Sequence, residues 1–291
     1  MTTPRSFRSR GRASRRSRAG FTLPELLVAL VMTAILGAAA MRLFVTQSRF
    51  FDQHVKQQSS RAVSRSAVNG VLSDLRMVEA PNGVIAASTS SVTVRVPYAI
   101  GVVCATSGTS YTTVAFMPVD SLTLATAALS GYGWRGSSGT YTLQETGVTA
   151  AAGAAGTCTG ASITPISGGP VLNIAPAVPA AATTGTPLYL YQAIRYEFAA
   201  SITYPGRTAL WRTLVTSGAT EEVAAPFDAT AGFEFYDRTA GGPASTTVPA
   251  LANIRGLELV FNGQSEKPRF GNTTPETTAF RTAVFFMNGN R

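Results

Sequence analysis

The chain has 291 residues, of which 45% are hydrophobic and only 13% are charged, and its formal net charge is +9. This length permits one or two domains with a substantial core, and the sparse charge is more typical of an extracellular protein than of a cytosolic enzyme. Seven arginines lie within residues 1–20, which contain no acid, so loss of that segment would lower the net charge from +9 to +2. The basic excess therefore indicates a targeting segment, and we expect no nucleic acid among the partners of the mature chain.

The first element is this basic leader, residues 1–20, and an apolar segment, residues 21–43, follows it. Between Phe21 and Met41 the only charged residue is Glu25. The apolar length is about that needed to cross a hydrocarbon core of roughly 30 Å. Positive charge before such a helix keeps that end cytoplasmic, so we expect a single membrane pass with everything after Met41 outside the inner membrane.

Glu25 has two interpretations. Thr22 and Glu25 have the spacing of a capping box, in which each side chain satisfies a backbone N–H at the start of a helix, and Pro24 suits the first turn. Alternatively, the carboxylate forms an ion pair with the free α-amino group of Phe21 on a neighbouring subunit. A charge next to lipid is expensive and indicates a functional residue, and only the second interpretation explains it.

Beyond Met41 the apolar residues continue at helical spacing through residues 44–80, with Asp74 among the charged residues assigned to the opposite, solvated face. Pro81-Asn82-Gly83 is a stop signal. One helix is therefore predicted from about residue 22 to residue 79, some 80–90 Å long at 1.5 Å per residue. Residues 81–291 switch to a period of two, which predicts a β-rich extracytoplasmic domain. The expected fold class is α+β, a long N-terminal helix packed on an antiparallel sheet.

Alternating residues and turn signals place the strands. Pro205-Gly206 predicts a hairpin between 188–204 and 208–217, and Gly131–Gly139 is interpreted as a glycine-rich turn. The other strands are predicted at 91–96, 111–116, 140–144, 232–236, 254–261 and 280–287.

Residues 146–187 consist mostly of Ala, Gly, Thr, Ser and Pro, and we interpret them as a long variable loop with short strands, too rich in Gly and Pro for a helix. Cys158 lies in this loop, and the other cysteine, Cys104, lies in the preceding β-rich part. In an exported chain the two can pair and pin the loop to the sheet, or stay as two unpaired small side chains.

We find no catalytic constellation and expect no enzyme activity, no cofactor and no metal. His54, the only histidine, lies on the amphipathic helix, where a packed or solvated role is favoured over a catalytic one. Gly131, Gly133 and Gly136 match a phosphate-loop string, but no strand-to-helix context supports it. Glu221, Glu222 and Asp228 lack the spacing of a calcium loop.

With the leader, Gly20, Phe21, Glu25 and the long helix, the sequence resembles type IV pilin-like proteins. The resemblance implies that a prepilin peptidase cleaves after Gly20 and methylates Phe21, and that Glu25 docks each subunit onto its neighbour's N-terminus in a filament. Pro24 departs from the family, in which an aliphatic residue is commoner at this position. The implied partners are the peptidase, other pilin or pseudopilin subunits, and inner-membrane lipid before assembly.

Residues 254–261 and 280–288 are similar to the end of larger minor pilins and of the bulky minor pseudopilins of type II secretion. The resemblance therefore implies a minor pilin or pseudopilin that is incorporated into, or primes, a pilus or a secretion pseudopilus. The sequence leaves two alternatives open. One is a soluble secreted protein with a conventional signal peptide cleaved at Ala38-Ala39-Ala40. The other is an adhesin or DNA-uptake module on a pilin stem, presenting the loop and an exposed Tyr132 or Trp134.

Overall fold

The structure is a computed structural model, and it describes residues 21–79, 82–136, 141–179, 182–268 and 271–286. Gly20 and the rest of the leader therefore lie outside the described residues, as do Pro81, Thr140 and Met287. The chain divides into two compact units, Met1–Phe51 and Asp52–Arg291, and each is described by itself below.

The longest element is helix α1, Leu23–Leu75, which begins in the first unit and ends in the second. In the first unit every described residue is exposed, and the apolar part of α1 is long and apolar enough to cross a membrane. The helix ends at Leu75 and not at the predicted Glu79, because Met77 and Val78 bond back to the carbonyls of Asp74 and Leu75 in a turn. That turn places Val78 in the core, fully buried.

The second unit contains one antiparallel sheet. Its strands are β1 (Val84–Ala87), β2 (Ser91–Ser107), β3 (Tyr111–Phe116), β4 (Gly131–Arg135), β5 (Tyr141–Gln144), β6 (Thr149–Ala152), β7 (Val171–Ala175), β8 (Pro187–Ala200), β9 (Thr208–Leu214), β10 (Thr220–Phe227), β11 (Gly232–Asp237), β12 (Ile254–Gln264) and β13 (Thr277–Phe285). They run in the order β11-β12-β10-β9-β8-β2-β3-β7-β6. Off this path, β1 pairs with β2, β13 with β12, β4 with both β5 and β8. The unit also contains two short α-helices, α2 (Ser121–Thr126) and α3 (Ala155–Gly160), and two 3₁₀ helices, Pro118–Asp120 and Leu251–Asn253.

The main core lies between the second half of α1 and the sheet. Ala67, Val71 and Leu75 recur every four residues, so they share one face of the helix, and all three are fully buried. They belong to a cluster with Phe198 and Phe261, which alternate with more exposed residues on β8 and β12. Each fully buried side chain of Val or Leu size contributes about 1.5–3 kcal/mol, so this stripe fixes the helix on the domain. The predicted α+β class is confirmed.

The helix approaches β12 most closely at Gly263. A Cβ atom there would lie 2.5 Å from Ser64 Oγ and would also clash with the Ser60 carbonyl. Both serines are buried, and Ser60 Oγ is 2.7 Å from Thr278 Oγ1 on β13. A residue without a side chain is therefore required where the helix crosses this strand.

Gly263→Ala is expected to lower the free energy of unfolding by about 1–3 kcal/mol, because the added methyl group overpacks the helix–sheet contact. Gly242→Ala is the matched control, since nothing lies within 4 Å of a Cβ at that position. Thermal unfolding of the detergent-solubilised chain measures both. Equal stability of the two variants would show that α1 can shift away from β12 at little cost.

The structure confirms the hairpin at Pro205-Gly206, where Gly206 has φ +77° between β8 and β9. The interpretation of Gly131–Gly139 as a turn was wrong, because Gly131–Arg135 forms β4 between β5 and β8. The interpretation of residues 146–187 was wrong in part. They contain β6 and β7 but also helix α3, on which Cys158 lies.

Candidate functional site

The candidate site predicted from the sequence is the start of α1. The side chain of Phe21 is 77% exposed, and Glu25 is exposed in the first turn, two residues after the helix begins at Leu23. The Thr22 carbonyl accepts hydrogen bonds from the backbone N–H groups of Glu25 (3.0 Å) and Leu26 (3.2 Å). Because Pro24 has no N–H and lies within this first turn, it removes no hydrogen bond from the helix.

The side-chain hydrogen bonds of the predicted capping box are not formed among the described residues. Over the described residues, neither Thr22 Oγ1 nor the Glu25 carboxylate makes a hydrogen bond or an ion pair. The backbone caps this end by itself, through the Thr22 carbonyl. The Glu25 carboxylate is therefore an exposed charge on an otherwise apolar helix surface.

The opposite end of α1 is fixed by a polar cluster that the sequence analysis missed. Asp74 was assigned to the solvated face, but its side chain is only 21% exposed and its Oδ2 accepts a 2.5 Å hydrogen bond from Tyr196 OH on β8. Arg212 on β9 donates to the same oxygen at 3.4 Å and to Glu221 Oε1 at 3.2 Å. A carboxylate near a helix C-terminus faces the negative end of the helix dipole, and Arg212 offsets this.

A sequence signal for this cluster exists only in part. Asp74 directly precedes the buried Leu75, so it lies at the boundary between the buried and the solvated face of α1. The 3.6-residue period alone does not decide to which face a residue at this boundary belongs. The partner residues lie 122 and 138 positions away in sequence, so their approach depends on the order of the strands.

Burial and, secondarily, the Asp74 carboxylate raise the pKa of Tyr196 well above its usual value of 10.0. A raised pKa keeps the folded phenol neutral while the unfolded phenol ionises, so this stabilisation is fully present below pH 10 and is lost as pH rises toward the folded pKa.

We expect the free energy of unfolding to fall as pH rises above 10. Tyr196→Phe should make this alkaline decrease shallower, and it should lower the free energy of unfolding at pH 7. Unfolding curves between pH 7 and 11 measure this, with exposed Tyr111→Phe as the control. If Tyr196→Phe left the alkaline decrease in stability unchanged, that decrease would have to come from other tyrosines.

The two cysteines form a disulfide, Cys104–Cys158, and both residues are fully buried. The bond joins α3 to β2, with Val171 of β7 in the same small cluster. Of the two alternatives that the sequence left open, pairing is the one present in the structure, and it ties the 146–187 segment to the sheet.

The remaining candidates are dispersed. Glu221 pairs with Arg212, Glu222 accepts bonds from Ser201 Oγ (2.7 Å) and the Ile202 N–H (2.9 Å), and Asp228 accepts bonds from Thr230. No group of three acidic, His or Cys side chains suited to a metal ion occurs in the part of the chain that the structure describes.

The aromatic surface that the adhesin alternative required is absent from β4. Tyr132 and Trp134 are 1% and 5% exposed, and the Tyr132 hydroxyl donates to the Pro176 carbonyl at 2.7 Å. The expectation that either residue is exposed was wrong. In a strand the two residues share one face, and here that face packs on the core.

Comparison with known families adds one finding. Residues 15–41 match the family model described as the prokaryotic N-terminal methylation motif, which includes Gly20, Phe21 and Glu25. Comparisons with curated proteins and with solved structures gave no match. The motif implies processing by a prepilin peptidase and assembly with pilin subunits in general. Together with the apolar helix and the antiparallel sheet, the motif shows that the chain is type IV pilin-like.

Proposed function

We propose that the chain is a minor type IV pilin or pseudopilin, a non-enzymatic subunit that is incorporated into, or primes, a pilus or a type II secretion pseudopilus. The observation that supports this most directly is the exposed Glu25 at the start of an apolar helix within the methylation motif. Phe21 becomes the methylated N-terminus after cleavage at Gly20, and its ammonium group docks on the Glu25 carboxylate of the adjacent subunit.

The size of the chain supports the minor role. Cleavage after Gly20 would leave 271 residues, much of it in a sheet of thirteen strands, which is large for a compact major subunit that is repeated throughout a filament. Before assembly the apolar half of α1 spans the inner membrane once, with the leader in the cytoplasm and the sheet domain in the periplasm. Seven arginines before the apolar segment support this orientation.

Mass spectrometry of the N-terminal peptide from the membrane fraction tests the proposal. We expect a peptide that begins at Phe21 and carries one added methyl group, and we expect Gly20→Val to abolish it by blocking cleavage. A soluble protein that begins at Met41 would instead show cleavage of a conventional signal peptide after Ala40. That result would refute both the filament role and the membrane-anchored form.

A further inference from the structure

Strand β6 forms one end of the sheet, and within the part of the chain that the structure describes its outer edge is open. Among those residues it pairs with β7 alone, in the register Thr149↔Ala175, Ala150↔Ile174, Ala151↔Asn173 and Ala152↔Leu172. All four residues of β6 are exposed. An edge strand offers a row of unpaired backbone donors and acceptors to another strand, and proteins normally limit this by keeping the strand very short or by adding charges, proline, a bulge or a covering segment.

With four residues β6 is a short edge strand, but charge, proline and bulge protection is absent from it as the structure describes it, whereas such protection is present at other margins of the sheet. Residues 146–194 contain no Asp, Glu, Lys, Arg or His, and no proline occurs between Tyr141 and Thr164. By contrast, β13 carries Arg281, which pairs with Glu234 and Glu258, and β11 is covered in part by a bridge from Ser245 to Phe235.

The phase of the β6–β7 ladder identifies which backbone groups point outward. The Gly153 N–H donates to the Val171 carbonyl at 2.8 Å, and this pair continues the β6–β7 register. Backbone groups alternate in direction along an antiparallel strand, so those of Ala151 and Thr149 also point toward β7. Those of Ala150 and Ala152 therefore point to the open edge.

The edge is held in place on its inner side. Six residues after Ala152, Cys158 is bonded to Cys104 on β2, and Asn173 of β7 accepts a 2.8 Å hydrogen bond from Thr113 on β3. A strand that is already ordered loses little conformational entropy when a second strand adds to it.

We propose that β6 is a homotypic docking edge, at which two copies of the chain pair their β6 strands antiparallel about a two-fold axis through Ala151. In this register Ala150 of one copy faces Ala152 of the other, and each pair exchanges both backbone hydrogen bonds. The two Ala151 residues face each other as a non-hydrogen-bonded pair, about 4.5 Å apart between Cα atoms.

A second copy fits this edge better than an unrelated peptide does. Strand addition selects a foreign peptide by pockets for its alternate side chains, and the exposed alanines of β6 provide no such pockets. The two outward residues are instead complementary to each other under the two-fold operation, and uncharged strands pair without like-charge repulsion. Strands this short bury far less than the roughly 800 Å² per partner of a stable interface, so the pairing is weak in dilute solution and needs the high local concentration of a membrane or filament.

Register-specific disulfide trapping in membranes that contain the full chain tests the proposal. Ala151→Cys places the thiols within the roughly 4.4–6.8 Å Cα range of a disulfide, so we expect a covalent dimer linked through residue 151. Ala150→Cys is the matched control, equally exposed and adjacent. Its two copies would lie diagonally, about 7–8 Å apart, so we expect at least tenfold less dimer.

Adding Ala150→Lys and Ala152→Lys to Ala151→Cys brings like charges opposite each other and should remove the dimer, while an intact Cys104–Cys158 bond reports that the domain is folded. Equal trapping at positions 150 and 151, no dimer at 151, or a cross-link to a different protein would each refute the homotypic edge. The pairing does not involve Glu25, so we expect the dimer to persist in Glu25→Ala. Failure of the homotypic docking proposal is therefore distinguishable from failure of the proposed filament role.

Discussion

Glu25→Ala is expected to yield a chain that is cleaved after Gly20 and methylated on Phe21 but is nearly absent from filaments. The substitution leaves the cleavage site intact, so processing continues. In assembly it removes the partner of the Phe21 ammonium group, and an uncompensated charge in a low-dielectric core costs about 3–5 kcal/mol. At about 1.4 kcal/mol per factor of ten, this corresponds to a loss of more than about a hundredfold in incorporation.

The measurement is the ratio of the subunit in sheared filaments to that in membranes, by quantitative mass spectrometry. Glu25→Gln keeps the shape of the side chain and one acceptor oxygen, and we expect the same defect because the charge is lost. Thr22→Ala is the matched control for helix capping. Since Thr22 makes no side-chain bond within the described residues, its loss should have little effect.

These variants separate the two interpretations of Glu25. If the carboxylate acted as an N-cap partner, Thr22→Ala and Glu25→Ala would cause similar losses of about 1 kcal/mol, and both chains would still assemble. Normal incorporation of Glu25→Ala would refute the docking role.

Local patterns in the sequence predicted the parts of the fold that depend on local physics. The apolar run from Phe21 to Met41 and the 3.6-residue period beyond it predicted α1, and alternation predicted β3 at 111–116 with the bounds that the structure has. The prediction that Glu25 is a docking residue also follows from a local pattern, a single charge within an apolar run, and it stays a prediction. Turn chemistry at Pro205-Gly206 likewise fixed the β8–β9 hairpin.

The glycines of β4 show why other parts could not be predicted. Glycine is disfavoured in strands, so Gly131 and Gly133 read as a turn. In the structure, Tyr191 and Tyr189 of β8 lie against these two glycines, and a Cβ at Gly133 would be 2.7 Å from Tyr189 Cε1. The glycines are needed because the partner strand carries large rings, and that partner is known only when the strand order is known.

The same limit applies to the assembly of the sheet. β8 pairs with β2 across about a hundred residues, and no local pattern specifies that Arg195 lies opposite Thr93. The surroundings of Asp74 likewise depend on the strand order. Its assignment to the solvated face failed because its partners, Tyr196 and Arg212, come from strands that reach the helix only in the folded domain.

Removal of the disulfide is expected to cause a large loss of stability of the domain. Closing a loop of 54 residues removes chain entropy from the unfolded state, worth about 4 kcal/mol. We therefore expect the double variant Cys104→Ala, Cys158→Ala to lower the free energy of unfolding by about that amount. Alanine is chosen because both sites are fully buried, where a serine hydroxyl would add its own desolvation penalty.

Chemical unfolding of the detergent-solubilised chain measures the difference, and Thr149→Ala, an exposed change in the same segment, is the control. Since neither sulfur is accessible, a reductant should act on the native chain only through opening, so reduction should be slow below the unfolding transition and fast above it. A difference of less than about 1 kcal/mol would show that pairing of β3 with β7 already restrains the segment. A loss near 4 kcal/mol would mean that the uncharged 146–187 segment, which buries little apolar surface beyond Val171, Ile174 and Val178, is held on the sheet chiefly by this bond.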